Sequence, residues 1–219
     1  MQIIETLTHS PLGLPVTAYR FGQTGPRALV LGGVHGDEIE GVWAAQKLLS
    51  LWSATFPLRL QITLIPIFNP DGVFLRTRTN SRGVDLNRNL KTKDWSPEIK
   101  SERYHPGPTA GSEPENQALM RLLEDEKPVF VLSLHSWKPV LNVNGDCLAE
   151  AKVLAEKTGY HIDADIGYPT PGCLGTYAGL ERRSATLTYE IERGLSCEKI
   201  LGVHVPAIQA CLLETEKRK

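Results

Sequence analysis

Three short polar segments of the chain carry residues that bind metals or anions. His35 and Glu38 stand just after the apolar run 27–34, with two residues between them. Asp85 lies in a polar stretch, and His135 ends a second apolar run. A catalytic zinc ion needs three nitrogen or oxygen ligands and one open position. His35, Glu38 and His135 offer two imidazoles and a carboxylate, so the sequence predicts one zinc ion per chain on these side chains.

The middle segment, with the sequence Asp-Leu-Asn-Arg-Asn over residues 85–89, predicts groups that surround such a metal. A histidine that binds a metal usually donates its other ring N–H to a carboxylate or a carbonyl. We expect Asp85 to play this part for His35. Asn87 and Arg88 offer an amide and a planar guanidinium, which suit the binding of a substrate carboxylate.

Each segment also has a simpler interpretation. His35 and Glu38 could stand on a solvated helix start, and residues 85–89 could form a charged surface turn. His135 favours the metal hypothesis, because a histidine that ends an apolar strand must be paired, bind a metal or face a cleft. The remaining histidines lack such partners and are expected in the core or on the surface; they are His9, His105, His161 and His204.

The elements that must position these residues alternate between strand and helix patterns. Short apolar runs predict strands at 27–34, 58–67, 129–134 and 184–191. Amphipathic stretches predict helices at 37–52, 114–125, 147–158 and 196–216. This alternation predicts an α/β fold, with a mixed, largely parallel sheet between helices. Open sheets of this class bind ligands beyond the carboxyl ends of their strands, where the candidate residues stand.

Composition limits the classes of function. With 219 residues, 41% hydrophobic and 22% charged, the chain is expected to form one domain over residues 1–219. The net charge of −1 and the lack of a basic face argue against nucleic acid as a partner. No apolar run suits a membrane helix, and the first twenty residues lack a signal-peptide pattern. Four sparse cysteines without a C-x-x-C pair predict reduced thiols in a cytoplasmic protein. The sequence does not distinguish a monomer from a homodimer.

Several motifs carry a resemblance to a known family. In chain order they are His-Gly-Asp-Glu, Asn-Pro-Asp-Gly, Arg-Thr-Asn-Ser-Arg-Gly-Val-Asp-Leu-Asn-Arg-Asn and Ser-Leu-His-Ser. Over residues 27–193 the chain resembles the zinc carboxypeptidase family, whose fold is a three-layer α/β sandwich. Residues 111–115 and 167–172 more specifically resemble the bacterial murein peptide amidases. The resemblance implies removal of diaminopimelate from the γ-D-glutamyl bond of murein tripeptide during cell-wall peptide recycling.

The resemblance also implies roles for single residues, beginning with the same three zinc ligands. Arg78 would polarise the scissile carbonyl, and Asn87 with Arg88 would hold the terminal carboxylate of a small peptide. Glu190 would be the general base, and Tyr168 would match the mobile tyrosine that closes over the substrate. The walls that select the released side chain are expected within 137–147 and 166–177.

Alternatives remain at this stage. Glu181 and Glu192 compete with Glu190 as the base, although only Glu190 ends a β-rich run. The chain also resembles N-acyl amino acid deacylases such as aspartoacylase and succinylglutamate desuccinylase, which share H-x-x-E and a D-L-N-R segment. A metal-binding module without catalysis is a further possibility, and the presence of both Glu190 and Arg78 argues against it.

Overall fold

A computed structural model describes residues 3–99 and 101–218, and an eight-stranded sheet forms its centre. The strands are β1 (Ile3–His9), β2 (Pro15–Phe21), β3 (Arg27–Leu31), β4 (Gln61–Ile65), β5 (Phe130–Trp137), β6 (Val140–Asn144), β7 (His161–Asp163) and β8 (Ala185–Glu192). Their spatial order is β1-β2-β4-β3-β5-β8-β6-β7. Strands β4, β3, β5 and β8 run parallel at the centre, whereas β2 and β6 pair antiparallel with their inner neighbours. The sheet is mixed, as the sequence predicts.

Helices cover both faces of this sheet. They are α1 (Ile39–Ala54), α2 (Pro70–Leu75), α3 (Pro114–Glu126), α4 (Leu148–Thr158), α5 (Cys197–Lys199) and α6 (Val205–Thr215). Two π-helical segments, Gly175–Leu180 and Ile200–His204, and two short 3-10 turns, Leu86–Arg88 and Glu102–Tyr104, complete the described elements. No helix among residues 3–99 and 101–218 is long and apolar enough to cross a membrane.

The alternation of side chains along the central strands produces two separate cores. In β3, Ala28 and Val30 pack with α1, α4 and α6, whereas Leu29 and Leu31 pack with α3 on the opposite face. Successive side chains of a strand point to opposite faces, so a strand in the middle layer must be apolar at every position. The near-continuous apolar run of β3 therefore follows from its place in a three-layer sandwich.

Some elements differ from the sequence predictions. The turn signal at 69–72 begins helix α2, because the Asn69 side chain accepts a hydrogen bond from the Gly72 N–H and Pro70 suits a first helical turn. The predicted helix 196–216 contains the π-helical segment Ile200–His204 between α5 and α6. Four strands were not predicted, namely β1 and β7 at the sheet edges and their neighbours β2 and β6, because half-exposed or short strands carry a weak apolar pattern. All four cysteines are free thiols.

A buried carboxyl on α3 gives a prediction about stability. Glu115 is fully buried, and burial raises its pKa to about 7. In the unfolded chain the pKa of this carboxyl is near its ordinary value of 4.5, so the folded state binds the extra proton between these two pH values. Its contribution to stability is therefore lost as the pH rises through 7. Glu115→Gln should raise the melting temperature at pH 8 by about 3 °C or more.

The gain from Glu115→Gln should shrink as the pH falls and vanish below about pH 4.5, because both forms are then neutral. Thermal unfolding followed by circular dichroism from pH 4 to 8 measures it. Glu124→Gln on the exposed side of the same helix is the matched control and should leave the pH profile unchanged. Parallel profiles for the parent and Glu115→Gln would contradict a neutral Glu115.

Candidate active site

The carboxyl ends of the central strands bring the candidate residues together. His35 and Glu38 lie between β3 and α1, while His135 and Glu190 are register partners on the paired strands β5 and β8. The tight turn that holds His35 needs Gly36, because a Cβ there would lie 1.8 Å from the carbonyl carbon of Gly72. The parallel sheet thus brings together residues that lie far apart in the sequence.

His35, Glu38 and His135 form a compact and buried group of metal-binding atoms. The Nδ1 atom of His35 lies 2.9 Å from one carboxylate oxygen of Glu38, and the Nδ1 atom of His135 lies 2.9 Å from the other. The two Nδ1 atoms are 3.1 Å apart, and the ligand atoms all lie within 4.8 Å of one another. Two imidazole nitrogens and a carboxylate facing one point fit the ligand preference of zinc.

The other ring nitrogens of the two histidines are held by hydrogen bonds. The Nε2 atom of His35 lies 3.0 Å from Asp85, and that of His135 lies 3.0 Å from the Ser133 hydroxyl. Burial opposes ionisation of Asp85, but Arg78 and then His35 outweigh it and hold its pKa well below the usual range. Asp85 is therefore an anion that fixes the His35 ring, as the sequence predicts, with both Nδ1 atoms left for the metal.

Arg78 lies directly beside the metal-binding group. Its Nε atom donates to Asp85 over 2.8 Å, and its Nη1 atom lies 3.3 Å from Glu38. The guanidinium also lies over the Tyr104 ring, 5.1 Å from the ring centre. With its side chain only 10% exposed and bonded to Asp85, Arg78 is a cation held next to the metal-binding group.

Glu190 enters the cavity beside His135 with a free carboxylate oxygen. Its Oε2 atom is buried and has no hydrogen-bond partner among the described residues. Burial raises the pKa of Glu190 to about 7. The competing acids lie elsewhere, since Glu181 accepts the Lys93 N–H and Glu192 is exposed at the end of β8. Of the three acids, Glu190 is the one that lines the cavity.

Asn87, Arg88 and Tyr168 line the same cavity. The carbonyl oxygen of the Asn87 side chain accepts the Leu174 N–H over 2.8 Å, which leaves its NH2 group as a hydrogen-bond donor. The Arg88 guanidinium lies 5.5 Å from the centre of the Tyr104 ring. Tyr168 is 39% exposed and packs edge-to-face on Trp137 at 5.9 Å. Seven of the nine sequence-predicted site residues thus line one opening, and the other two, His135 and Asp85, are buried in contact with Glu38 and His35.

The structure adds cavity residues that sequence reasoning missed. They are Arg103, Tyr104, Trp137, Asn142, Asn144, Ile166, Thr170, Cys173, Gly175, Thr188 and Arg193. Most fall within the two segments expected to form the walls, 137–147 and 166–177. A usable signal was present in β6, where Asn142 and Asn144 alternate with apolar residues, and Asn142 pairs in register with Thr188 of β8. Period-two alternation places such residues on one face.

A metal-binding group with a free carboxylate and a buried arginine beside it defines a metal-dependent hydrolase. A profile described as zinc carboxypeptidase matches residues 4–161, and the chain belongs to that family. Murein peptide amidase A from Vibrio campbellii is 31% identical over 217 residues, which cover 91% of this chain and 85% of that protein. Murein peptide amidase A from Escherichia coli K12 is 32% identical over 161 residues, which cover 68% of this chain and 64% of that protein.

Solved structures agree with this assignment. Murein-tripeptide amidase MpaA from Escherichia coli O157 superposes with a TM-score of 0.73 at 26% identity, covering 96% of this chain and 91% of that one. Bovine thrombin-activatable fibrinolysis inhibitor, solved with tick carboxypeptidase inhibitor, gives a TM-score of 0.83 at 18% identity, covering 99% of this chain and 89% of that one. At this low identity, the likeness supports the fold alone. The chain is a zinc-dependent hydrolase of the peptidase and amidase class.

Proposed function

We propose that this enzyme hydrolyses the γ-D-glutamyl–diaminopimelate bond of murein tripeptide, as a cytoplasmic step of cell-wall peptide recycling. The observation that carries the proposal is the arrangement of His35, Glu38 and His135 beside Glu190 and Arg78 in one cavity. The murein peptide amidases named above provide the substrate by analogy. The reaction is the addition of water to an amide carbonyl and the departure of an amine.

His35, Glu38 and His135 hold the zinc ion. When bound, zinc polarises the amide carbonyl and makes a water molecule acidic enough to attack at neutral pH. Glu190 accepts the proton of the attacking water and passes it to the nitrogen of the leaving amino acid, since it lines the cavity and its Oε2 atom has no partner among the described residues. Arg78 stabilises the negative charge that develops on the carbonyl oxygen, and its bond to Asp85 keeps it in place beforehand.

Asn87 and Arg88 hold the terminal carboxylate of the substrate. A guanidinium and an amide NH2 group bind such a carboxylate through parallel charge-assisted hydrogen bonds. Tyr168, exposed at the cavity mouth beside Trp137, closes over the bound peptide. These contacts place the scissile bond between Glu190 and Arg78. The bound terminal carboxylate therefore sets the orientation of the substrate.

The cavity wall formed by β6, β8 and the 166–175 segment suits a polar side chain. Besides Ile166, Tyr168 and Cys173, this wall has four polar members that are neutral and carry both donors and acceptors, namely Asn142, Asn144, Thr170 and Thr188. A wall that selected an apolar side chain would be apolar, and one that selected lysine would place a carboxylate there. Diaminopimelate carries an amine and a carboxylate at the far end of its side chain, and both find partners on a neutral polar wall.

A second candidate function is the deacylation of an N-acyl amino acid. N-alpha-acetyl-L-2,4-diaminobutyric acid deacetylase from Halomonas elongata is 38% identical over 78 residues, which cover 35% of this chain and 22% of that enzyme. The murein peptide amidases match a much longer part of the chain. Glu190 and Arg78 also argue against a metal-binding module that has lost catalysis.

A panel of four substrates tests the proposed function. We expect the enzyme to release diaminopimelate from murein tripeptide. Its kcat/KM should be at least about 100-fold above that for the lysine analogue, for an α-linked peptide with a free C-terminus or for an N-acetyl amino acid. Loss of a polar group that pairs with buried polar atoms gives selectivity of this size. Amino acid release measured by chromatography provides the rates. Faster hydrolysis of the N-acetyl amino acid would assign the enzyme to the deacylases.

The role of Arg88 is tested by a cycle of enzyme and substrate changes. Arg88→Ala and amidation of the terminal carboxylate of the tripeptide should each lower kcat/KM by about 30-fold or more, because each leaves a charge without its partner. Together they should cost little more than either alone, since both remove the same interaction. Additive losses would show that Arg88 does not hold this carboxylate.

A further inference from the structure

Two arginines of the cavity have no part in the reaction described above. Arg103 and Arg193 line the same opening as the zinc ligands, and their side chains are 46% and 40% exposed. Both pair with one carboxylate oxygen of Asp37, at 3.0 Å for Arg103 Nη2 and 3.6 Å for Arg193 Nη1. They belong to distant parts of the chain, so the fold brings two guanidinium groups to one acid.

Arg193 is fixed in this place by the end of β5. Its Nε and Nη2 atoms donate to the carbonyl oxygen of Ser136 over 3.3 and 3.1 Å. Its Nη2 atom also lies 3.4 Å from the Oε1 atom of Glu38, the same oxygen that Arg78 approaches. Arg193 thus stands next to the carbonyl-polarising arginine, while a large part of its side chain remains open to the cavity.

The local charges leave room for an anion. Arg103 and Arg193 share the single negative charge of Asp37, and the charge of Glu38 faces the zinc ion once the metal is bound. Among the described residues, Asp37 is then the carboxylate that both half-exposed guanidinium groups share. Guanidinium groups in such a place bind carboxylates strongly, because planar donors match the two carboxylate oxygens.

The order of contacts shows which part of the substrate would reach this site. Arg88 and Arg78 both lie over the ring of Tyr104, and Arg78 and Arg193 both approach Glu38. Arg78 thus shares Tyr104 as a neighbour with Arg88 and Glu38 as a neighbour with Arg193. A substrate with its terminal carboxylate on Arg88 and its scissile carbonyl at Arg78 continues towards Arg193 with its acyl part.

We propose that Arg103 and Arg193 form a second carboxylate subsite, which binds an anionic group on the acyl side of the scissile bond. Resting on the proposed function, this group is the α-carboxylate of the γ-linked glutamyl residue. An ordinary α-linked peptide carries a neutral amide at the corresponding carbon. The subsite selects γ-glutamyl amides over α-peptides, separately from the selection of the released amino acid.

The test compares two tripeptides with the zinc-loaded enzyme. One is L-alanyl-γ-D-glutamyl-diaminopimelate, and the other has only the α-carboxylate of its glutamyl residue converted to a carboxamide. The parent should prefer the carboxylate form by at least about tenfold in kcat/KM, the effect of one charge-assisted hydrogen bond. Arg103→Gln and Arg193→Gln should each reduce this ratio, with the loss confined to the carboxylate substrate. Arg121→Gln, on the exposed side of α3, is the control and should retain the parent ratio.

Equal kcat/KM for both tripeptides in the parent would overturn the subsite while leaving the proposed function intact. A variant that loses activity equally on both tripeptides, or loses zinc, would show that its arginine supports the metal centre and does not bind the α-carboxylate of the substrate. Failure of the parent to cleave either tripeptide would refute the proposed function itself, and the subsite with it.

Discussion

Glu190→Gln is expected to lower kcat for the tripeptide by at least about 100-fold, the lower end of the contribution of a general acid–base group. The substitution keeps the size and the hydrogen-bonding capacity of the side chain but removes the proton acceptor. Zinc content should stay at one per chain, because the ligand atoms belong to His35, Glu38 and His135. The loss should fall on kcat more than on KM, since the proton moves in the transition state.

Two neighbouring acids provide matched controls for Glu190. Glu192 lies on the same strand but is exposed at its end, and Glu181 is engaged with the backbone of Lys93. Glu192→Gln and Glu181→Gln should retain activity within a few-fold of the parent. Steady-state kinetics and metal analysis on the same preparations separate the effects. If Glu190→Gln stayed within a few-fold as well, the proton acceptor would have to be another group.

The residues that carry chemistry were visible in the sequence because their types and places are restricted. A metal needs imidazoles and carboxylates, and the parallel sheet places such residues where strands end. His35, Glu38 and His135 satisfy both conditions, and the structure brings them to one point. The zinc assignment is confirmed by the family match, whereas the single roles of Glu190, Arg78, Asn87, Arg88 and Tyr168 stay predictions.

The sequence predicted the two segments that form the cavity wall, 137–147 and 166–177, but not the residues within them that face the cavity, because those depend on packing between distant elements. Asn144 lies close over Gly175, where a Cβ would come within 2.2 Å of the Asn144 side-chain oxygen. Nothing local in either segment indicates that contact. Arg103 and Arg193 are also ordinary charged residues in the sequence. Their meaning appears only when the fold places both beside Asp37 and the metal-binding group.

The fold shows the same division between local and distant information. Strands β3 and β5 were predicted because burial on both faces requires continuous apolar residues. Strand β1 was missed because it lies at the sheet edge, where Ile3 and Ile4 are 54% and 63% exposed and polar residues intervene. The π-helical segment before α6 keeps the amphipathic pattern of an α-helix, so the sequence alone does not distinguish a π-helix from an α-helix there.

His135→Ala is expected to abolish hydrolysis together with zinc binding. Two ligands hold zinc poorly, and the remaining pair, His35 and Glu38, comes from a single turn. Metal content after dialysis should fall from about one zinc per chain to near zero, and added zinc should not restore activity. Chelation of the parent should abolish activity in the same way, but there added zinc should restore it.

His161→Ala is the matched control for this substitution, because His161 is exposed on β7 and lies outside the cavity. It should retain both the metal and the activity. Circular dichroism on His135→Ala separates loss of the ligand from loss of the fold. A folded His135→Ala protein that kept its full zinc content would remove His135 from the metal site, and the zinc would then need a different third ligand.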